Sequence, residues 1–458
     1  MKKMGSIILA AGDGKRMKSS LPKMLHRAAG KPLVEWVVEA AEQALGVKPI
    51  VVYGAGGSAV PDYLGERCVY ALQAERKGSG HAVMMARELM AEYDYVTVIA
   101  GDMPLVEPSS IHRLAELAEQ GEYAALLLTG KVVNPAGYGR ILRDGAGRVT
   151  GIVEDKDATP EQKEIDEINL SFYCFQTRAL AEALDEITPA NAQGEYYLTD
   201  VIGIMHQKGL PTGALVIDDP SQCEGVNNRA QLAQAAERLR ERINTRHMMN
   251  GVTMLDPRAT YVDDGVTIGA DTVIYPGVIL EGNTVVGEGC TLYQGSRIAD
   301  SVIEDGATIQ NSVITEAHVG KGTQVGPYAY LRPGSNIGAG CRIGDFVEVK
   351  NSNIDDGAKV SHLTYVGDGD VGKNVNVGCG VVFVNYDGKE KARTTVGDDA
   401  FIGCNTNLIS PVSVGKGAYI AAGATVTKDI PDDALCIARA REIIKDGWGR
   451  GRYQVKKK

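Results

Sequence analysis

From Val252 onward, aliphatic residues recur every six positions: Ile268, Ile274, Leu280, Val286, Leu292 and Ile298. After a few five-residue steps the period resumes at Val319, Val325, Leu331, Ile337, Ile343 and Val349. It returns at Val371 and Val377, then at Val396, Ile402, Leu408, Val414, Ile420 and Val426. Gly commonly follows the aliphatic position, as at Gly269, Gly287, Gly338, Gly344 and Gly415. Units of this length fit neither a helix nor an ordinary alternating strand; they predict a parallel β-helix, three units closing one triangular coil. The aliphatic side chain is expected inward at each coil's turn, with small neighbours letting the chain change direction. The stretch 385–395 breaks the period and predicts a loop projecting from the coil.

The first half reads differently. Short apolar runs at 5–11, 50–53, 95–100, 124–129 and 214–217 predict strands, and 33–45 and 81–90 carry helical spacing. Such alternation predicts an α/β domain over residues 1–228. Leu232, Ala235, Ala236, Leu239 and Ile243 recur at three-to-four spacing between Arg and Glu, predicting one amphipathic helix over 227–250. The domains expected are therefore 1–228, a linker helix 229–251, and a β-helix over 252–458 that includes a C-terminal tail.

Composition narrows the function. A chain of 458 residues is too long for one core, and most of its 55 Gly fall in the repeat half. A formal net charge of -10 leaves no broad basic face for nucleic acid, and the tail Lys456-Lys457-Lys458 reads as a solvated end. The apolar run after Met1 breaks at Gly12-Asp13-Gly14-Lys15-Arg16, too early for a secretory leader, and no stretch is long enough to insert in a membrane. The 8 Cys form no CxxC pair and read as reduced thiols, so a cytoplasmic location is expected.

Candidate chemistry begins where the first strand runs into Leu9-Ala10-Ala11-Gly12-Asp13-Gly14-Lys15-Arg16-Met17, followed by Pro22-Lys23. A Gly-rich turn after a strand brings backbone N–H groups to phosphate oxygens, and Arg16 and Lys23 would neutralise charge. An ordinary βα turn is the competing reading, and neither the P-loop nor the full dinucleotide pattern is present. An Asp at a strand's carboxyl end, as in Ala100-Gly101-Asp102, is placed to bind a cation. In the repeat half, Ser361-His362-Leu363-Thr364-Tyr365-Val366-Gly367-Asp368 offers an imidazole able to take a proton near neutral pH. Arg332 and Lys350 are cations where the coil otherwise carries small or neutral residues.

The first motif resembles the LAAGxGxRM…PK segment of sugar-nucleotide pyrophosphorylases. The HLTYxGD motif resembles the acetyltransferase half of the bifunctional N-acetylglucosamine-1-phosphate uridylyltransferase/glucosamine-1-phosphate N-acetyltransferase family. The resemblance runs from Leu9 to about Arg441, with both motif sets in family order around the linker helix. It implies a Rossmann-like nucleotidyltransferase domain with a mixed sheet, joined by a long helix to a left-handed parallel β-helix that forms homotrimers with sites between subunits. It implies acetylation of glucosamine-1-phosphate by acetyl-CoA, then transfer of UMP from UTP to N-acetylglucosamine-1-phosphate. The products would be pyrophosphate and UDP-N-acetylglucosamine, a precursor of peptidoglycan and other envelope polysaccharides.

Residue by residue, the resemblance implies UTP and UDP-sugar contacts at Leu9, Ala10, Ala11, Gly12, Lys23, Gln73, Gly78, Ser79, Gly139, Glu154, Asn169 and Asn227, with Arg16 and Lys23 catalytic. Gln73 would meet the uracil edge, while Gly139, Glu154 and Asn169 would meet the sugar. Asp102 and Asn227 would hold the metal; two oxygen ligands and no Cys or His suit Mg²⁺. His81 reads as a residue packing against its helix rather than a catalyst. In the second half it implies His362 as catalytic base, Arg332, Lys350, Tyr365 and Asn376 on the sugar phosphate, and Cys379, Asn385, Tyr386, Lys391, Cys404, Ala422 and Arg439 at the acetyl-CoA site. A nucleophilic Cys is the alternative there, although direct transfer needs none.

Three competing readings remain at this stage. One is a single-activity sugar-1-phosphate nucleotidyltransferase with a scaffolding β-helix, which would not need the HLTYxGD motif or the Arg332/Lys350 pair. Another is a trimeric binding scaffold with a decayed nucleotide site, which would not need Arg16, Lys23, Asp102 and Asn227. A β-helix carbonic anhydrase needs three zinc-binding His, and the coil has only His318 and His362.

Overall fold

The computed structural model describes residues 2–12 and 14–450, so the basic tail at 456–458 and Asp13 of the Gly-rich turn lie outside the described residues. The chain forms two compact units, Met1–Arg240 and Glu241–Lys458.

In the first unit, seven strands run across a mixed sheet in the order Thr212–Val216, Ala125–Lys131, Glu167–Gln176, Tyr95–Ala100, Met4–Ala10, Ile50–Gly54, Val69–Gln73. The strands Arg140–Arg143 and Val149–Val153 extend it beside Glu167–Gln176. The central strands pair in parallel, Ile7 opposite Ile50 and Val98, while Glu167–Gln176 runs antiparallel to both its neighbours. Parallel pairing buries both faces, which explains continuous apolar runs such as Tyr-Val-Thr-Val-Ile rather than alternation. One face is covered by the helices Leu33–Leu45 and Pro108–Gln120 through Val34, Val37, Ile111 and Leu114. The other is covered through Val83, Leu180, Ala183 and Ile202.

Two differences from the sequence reading have physical causes. The helix expected over 81–90 is two pieces, Ser79–Met85 and Arg87–Met90, broken at Ala86 where ψ is 2°. Strand Val69–Gln73 was not expected; its five residues lie at the sheet edge and alternate only weakly. Strand Glu167–Gln176 carries a register shift between Asn169 and Tyr173, with Ser171 at φ 53°. Such a bulge re-aims side chains, and it turns Ser171 and Tyr173 toward the cleft described below.

The helix Arg229–Met249 links the units. Its first half packs Ala235 and Leu239 onto Leu33, Leu105 and Val226 of the first unit. Further on, Asn244 is fully buried and its Nδ2 donates to the carbonyls of Pro257 (2.8 Å) and Thr260 (3.0 Å) in the second unit.

The second unit is a left-handed parallel β-helix whose two- to four-residue strands stack into three sheets of 11, 10 and 9 strands. Each strand pairs with the one a full coil later, as Val273 with Thr291 and Thr291 with Thr308. The aliphatic residue of each unit does point inward, but it lies on the flat strand and not at the turn, which corrects the sequence reading. The corners are filled by a second buried position two residues earlier, small or hydroxylated: Thr272, Thr284, Cys290, Ser296, Ala307, Ser335 and Ala358. A chain turning a corner lifts carbonyls out of the ladder, and a buried carbonyl needs a donor. The corner hydroxyls supply it: Thr272 Oγ1 donates to Gly287 O (2.8 Å) and the equally buried Thr323 Oγ1 to Gly338 O (2.7 Å). The loop expected over 385–395 is shorter than read, because the ladder resumes at strand Thr394–Val396. It is closed by one antiparallel bridge between Tyr386 and Lys391.

Candidate functional sites

The carboxyl ends of strands Met4–Ala10, Val69–Gln73 and Tyr95–Ala100 open into a cleft of about 590 Å³. Leu9, Ala11, Gly12, Lys23, Gln73, Gly78, Ser79, Asp102 and Glu154 line it. Ala10 is buried beneath the turn.

The Gly-rich turn folds back on Lys23 because Gly14 sits at φ 60°, and a Cβ there would lie 2.5 Å from Lys23 Cβ. Lys23 is only 7% exposed, and its ammonium touches Asp102 Oδ2 and donates to Asn227 Oδ1 at 2.8 Å. Arg16 Nη2 donates to the same Asn227 oxygen at 2.9 Å. Two hard oxygens from distant parts of the chain thus converge on a cation. That donor set suits Mg²⁺, whose remaining positions water and phosphate oxygens would fill. Among the described residues no cluster of three or more His, Cys, Asp or Glu offers an all-protein cage.

At the base end, Gln73 Nε2 lies 3.1 Å from Gly78 O and 3.0 Å from His81 Nδ1. Burial pushes the His81 imidazole below its ordinary value. His81 therefore helps to hold Gln73, in line with its packing role. Ser79 Oγ accepts from Leu198 N at 3.0 Å. At the sugar end, a Cβ on Gly139 would meet Ile152, Asn169 and Glu154, so these predicted residues are neighbours. Burial raises the Glu154 carboxyl above the ordinary range, partly offset by a hydrogen bond from Thr199 Oγ1 at 3.2 Å. Asn169 Nδ2 donates to Tyr173 Oη at 2.7 Å.

Sequence reading missed four contributors: Arg76, Tyr173, Leu198 and Thr199. Arg76 Nε donates to Ala11 O at 2.8 Å and so fixes the Gly-rich turn. It lies three residues beyond Gln73 and two before Gly78, and its cationic side chain was the available signal.

In the second unit, the HLTYxGD motif spans one flat face from corner to corner. His362 ends strand Lys359–His362 at one corner, and Asp368 follows strand Tyr365–Gly367 at the next. His362 Nδ1 lies 2.8 Å from Asp345 Oδ1, its cross-strand neighbour one coil below. His362 holds the Asp345 carboxyl below the ordinary carboxylate range. With Asp345 accepting from Nδ1–H, the proton sits on Nδ1 and Nε2 is left as the basic nitrogen.

At the far corner Arg332, Lys350, Asp368 and Asn385 occupy successive coils, joined by Arg332 N to Val349 O (2.8 Å) and Asp368 N to Lys350 O (3.0 Å). Asp368 is buried, which alone would raise its carboxyl. Hydrogen bonds from Asn351, Asn385 and Lys350 outweigh burial and hold it below the ordinary range. Arg332 Nη1 donates to Glu348 Oε1 at 2.8 Å. Lys391, from the loop, stands beside Lys350, whose ammonium pushes the Lys391 amine below its ordinary value. The Lys391 ammonium, disfavoured by the cations beside it, would be relieved by an anion such as a sugar phosphate. Tyr365 lies over Gly367: any Cβ there would collide with its hydroxyl and ring.

The residues assigned to acetyl-CoA fall into two groups. Cys379, Cys404 and Ala422 stack above His362 on successive coils, tied by Gly380 N to Leu363 O (3.1 Å), Asn405 N to Cys379 O (2.7 Å) and Gly423 N to Cys404 O (2.8 Å). Three coil steps make this line about 14 Å long. Arg439 lies beyond it, its Cδ 3.8 Å from where a Gly423 Cβ would be. Asn385, Tyr386 and Lys391, also assigned to acetyl-CoA, lie instead at the corner and loop beside Lys350. Asn376, exposed on the face bearing Lys359 and Phe401, is not brought to that corner within one chain. Asp345 and Glu348 escaped the sequence reading; each stands 17 residues before His362 or Tyr365, one coil back.

The comparisons agree with both halves. The model of the MobA-like NTP transferase domain matches residues 6–164, and that of the bacterial transferase hexapeptide (six repeats) matches 265–300, 316–351 and 393–428. "Bifunctional protein GlmU" of Clostridium novyi is 52% identical over 97% of both chains. The Clostridioides difficile protein of that name is 50% identical over 97% of this chain and 96% of its own. The chain belongs to the bifunctional GlmU family. As a member it is a two-activity transferase, with a uridylyltransferase unit and a hexapeptide acetyltransferase unit. A solved putative glucose-1-phosphate thymidylyltransferase from Bacillus anthracis aligns at 19% identity and TM-score 0.42, over 51% of this chain and 94% of its own. Among the described residues no helix is long and apolar enough to cross a membrane.

Proposed function

We propose that the two sites act in sequence on one sugar phosphate, with the residues above in the following roles. In the second unit the 2-amine of glucosamine-1-phosphate attacks the acetyl thioester of acetyl-CoA. His362 Nε2 takes the amine proton as the C–N bond forms, and the proton leaves with coenzyme A as the C–S bond breaks. Asp345 is a positioning residue that keeps the imidazole in the accepting tautomer. Lys350 and Lys391 hold the phosphate, with Arg332 and Tyr365 beside them. The line through Cys379, Cys404 and Ala422 to Arg439 takes the extended arm of acetyl-CoA. The pairing of His362 with Asp345, with a cation cluster at the far corner of the same face, carries this reading, because a scaffold would need neither.

In the first unit a phosphate oxygen of N-acetylglucosamine-1-phosphate attacks the α-phosphorus of UTP, and pyrophosphate leaves. The attacking phosphate is already ionised, so no protein base is needed; positioning and charge neutralisation suffice. Gln73, Gly78 and Ser79 orient the uracil, and Gly139, Glu154 and Asn169 hold the sugar. Arg16 and Lys23 meet the triphosphate. Asp102 and Asn227 would hold Mg²⁺, which supplies positive charge to the phosphates when bound.

A cytoplasmic homotrimer fits this reading. The coil exposes a stacked aromatic pair, Tyr328–Phe346, with ring centroids 5.5 Å apart. The separation of Asn376 from the Lys350 corner also suits a site completed by a neighbouring subunit. The product would feed peptidoglycan and other envelope polysaccharides. The test follows free thiol and pyrophosphate separately in wild type, His362→Ala and Asp102→Ala, with pre-acetylated sugar supplied where the first step is disabled. Each substitution should abolish one release and spare the other. Pyrophosphate without thiol release by wild type would make the β-helix a scaffold.

A further inference from the structure

The cleft takes the carboxyl end of the sheet; a second cavity, of about 450 Å³, opens at the other end. Strand Tyr95–Ala100 touches both, with Ala100 in the catalytic cleft and Tyr95 in this cavity, about 17 Å apart along six residues. None of its lining residues has a part in the chemistry above.

Three buried polar atoms of the lining have no hydrogen-bond partner: Tyr95 Oη, Thr177 Oγ1 and Arg87 Nε. Tyr95 is 1% exposed and Thr177 6%, so neither hydroxyl can rely on bulk water. Leaving one such group unpaired costs about 1–3 kcal/mol, so three around one cavity call for a common partner. All three can donate.

The surroundings set the sign of that partner. Helix Thr177–Leu184 starts at the cavity, and its N-cap Gln176 makes no side-chain capping bond. Its first-turn amides therefore add positive potential. Lys2 stands 5.1 Å from the Tyr95 ring centroid, and Arg178 completes the basic lining. Arg87 and Arg178 are anchored by Asp185 (2.7 Å) and Glu182 (3.0 Å), which hold them at the rim. The one lining carboxylate, Asp94, is engaged by the backbone N–H of Lys3 at 2.7 Å.

We propose that this cavity binds a small phosphate-class oxyanion, accepting from Tyr95 Oη, Thr177 Oγ1, Arg87 Nε and the first-turn amides after Thr177, whose own N–H donates to Asp94 O at 3.0 Å. It is an effector site at the opposite end of the sheet from the uridylyl-transfer cleft. The occupant is either free phosphate or the phosphate of a small ester, since the donors recognise the oxyanion and not its substituent.

The test is calorimetric titration of the full chain with inorganic phosphate, then with glycerol phosphate. Coenzyme A, glucosamine-1-phosphate and UDP-N-acetylglucosamine are present throughout to fill the transferase sites without turnover. Wild type should bind one phosphate per chain, and Tyr95→Phe/Thr177→Val should weaken binding at least tenfold with circular dichroism and Tm unchanged. Arg87→Gln provides a second variant should the first lose its fold. Tighter glycerol phosphate than inorganic phosphate would mark an ester as the occupant; the reverse would mark free phosphate. Unchanged affinity in both variants, or no saturable binding by wild type, would overturn the site and leave the cavity to water.

Discussion

Replacing Asp345 by Asn tests the acetyl-transfer site at its least expected residue. The carboxylate accepts from His362 Nδ1 at 2.8 Å across one ladder step, and both side chains are substantially exposed, 39% and 57%. An unanchored exposed imidazole has three staggered χ1 wells and a two-fold χ2, about six orientations of which one is productive. Loss of the anchor therefore costs about sixfold. The carboxylate also favours the imidazolium formed in the transition state, and for a solvated pair this is worth about fivefold. The expected fall in kcat for thiol release is about thirtyfold, with KM for glucosamine-1-phosphate nearly constant because Asp345 touches no phosphate. An Asn amide can also donate to Nδ1 and fix the wrong tautomer, so Asp345→Ala should be no worse than Asp345→Asn. Steady-state thiol release gives kcat and KM, and pyrophosphate release from pre-acetylated sugar is the internal control. A kcat within twofold of wild type, or a loss confined to KM, would refute the positioning role.

Other substitutions separate the remaining roles. Lys23→Ala should lower pyrophosphate release by at least about a hundredfold and leave thiol release intact, because it removes a buried cation facing the phosphates. Lys391→Ala should raise KM for glucosamine-1-phosphate about tenfold and flatten its salt dependence, as loss of one charged phosphate contact would. Gly367→Ala must displace Tyr365, and a fall of about tenfold in acetyl transfer with normal uridylyl transfer is expected. Glu154 has its folded-state pKa raised by burial, so its ionisation opposes folding. The wild type should lose Tm relative to Glu154→Gln as pH rises from below the ordinary Glu value through the raised one, then hold a constant deficit. The same variant should bind N-acetylglucosamine-1-phosphate more weakly, read by its KM.

The two halves were legible to different depths. The β-helix was written in the period itself, since Ile268 to Val426 needs only local spacing to be seen. What local spacing could not give was the corner chemistry: Thr272 and Thr323 look like surface residues until the lifted carbonyls are counted. In the first unit the strands Met4–Ala10, Ile50–Gly54 and Tyr95–Ala100 and the helix Leu33–Leu45 followed from apolar runs, but Val69–Gln73 at the edge and Glu167–Gln176 in the middle of the sheet did not. Site residues inside contiguous motifs were readable, while their partners were not. Thr199 reaches Glu154 from 45 positions away and Arg76 reaches Ala11 from 65, distances that only the folded sheet closes. Asp345 is the intermediate case, recoverable by counting back one coil from His362.

The stacking of coils also limits how this domain can change length. His362 and Asp345, or Lys350 and Asp368, meet because each pair is separated by a whole revolution of the chain. Insertion of a single hexapeptide between Asp345 and His362 would carry everything after it through a third of a revolution and separate acid from base. Eighteen added residues would restore the angular phase yet still place an extra storey between them. Beyond the last assigned residue, or before Arg332, the same additions would leave every catalytic pair untouched. Lengthening by duplication is thus confined to the two ends of the prism, while its middle storeys keep a fixed count.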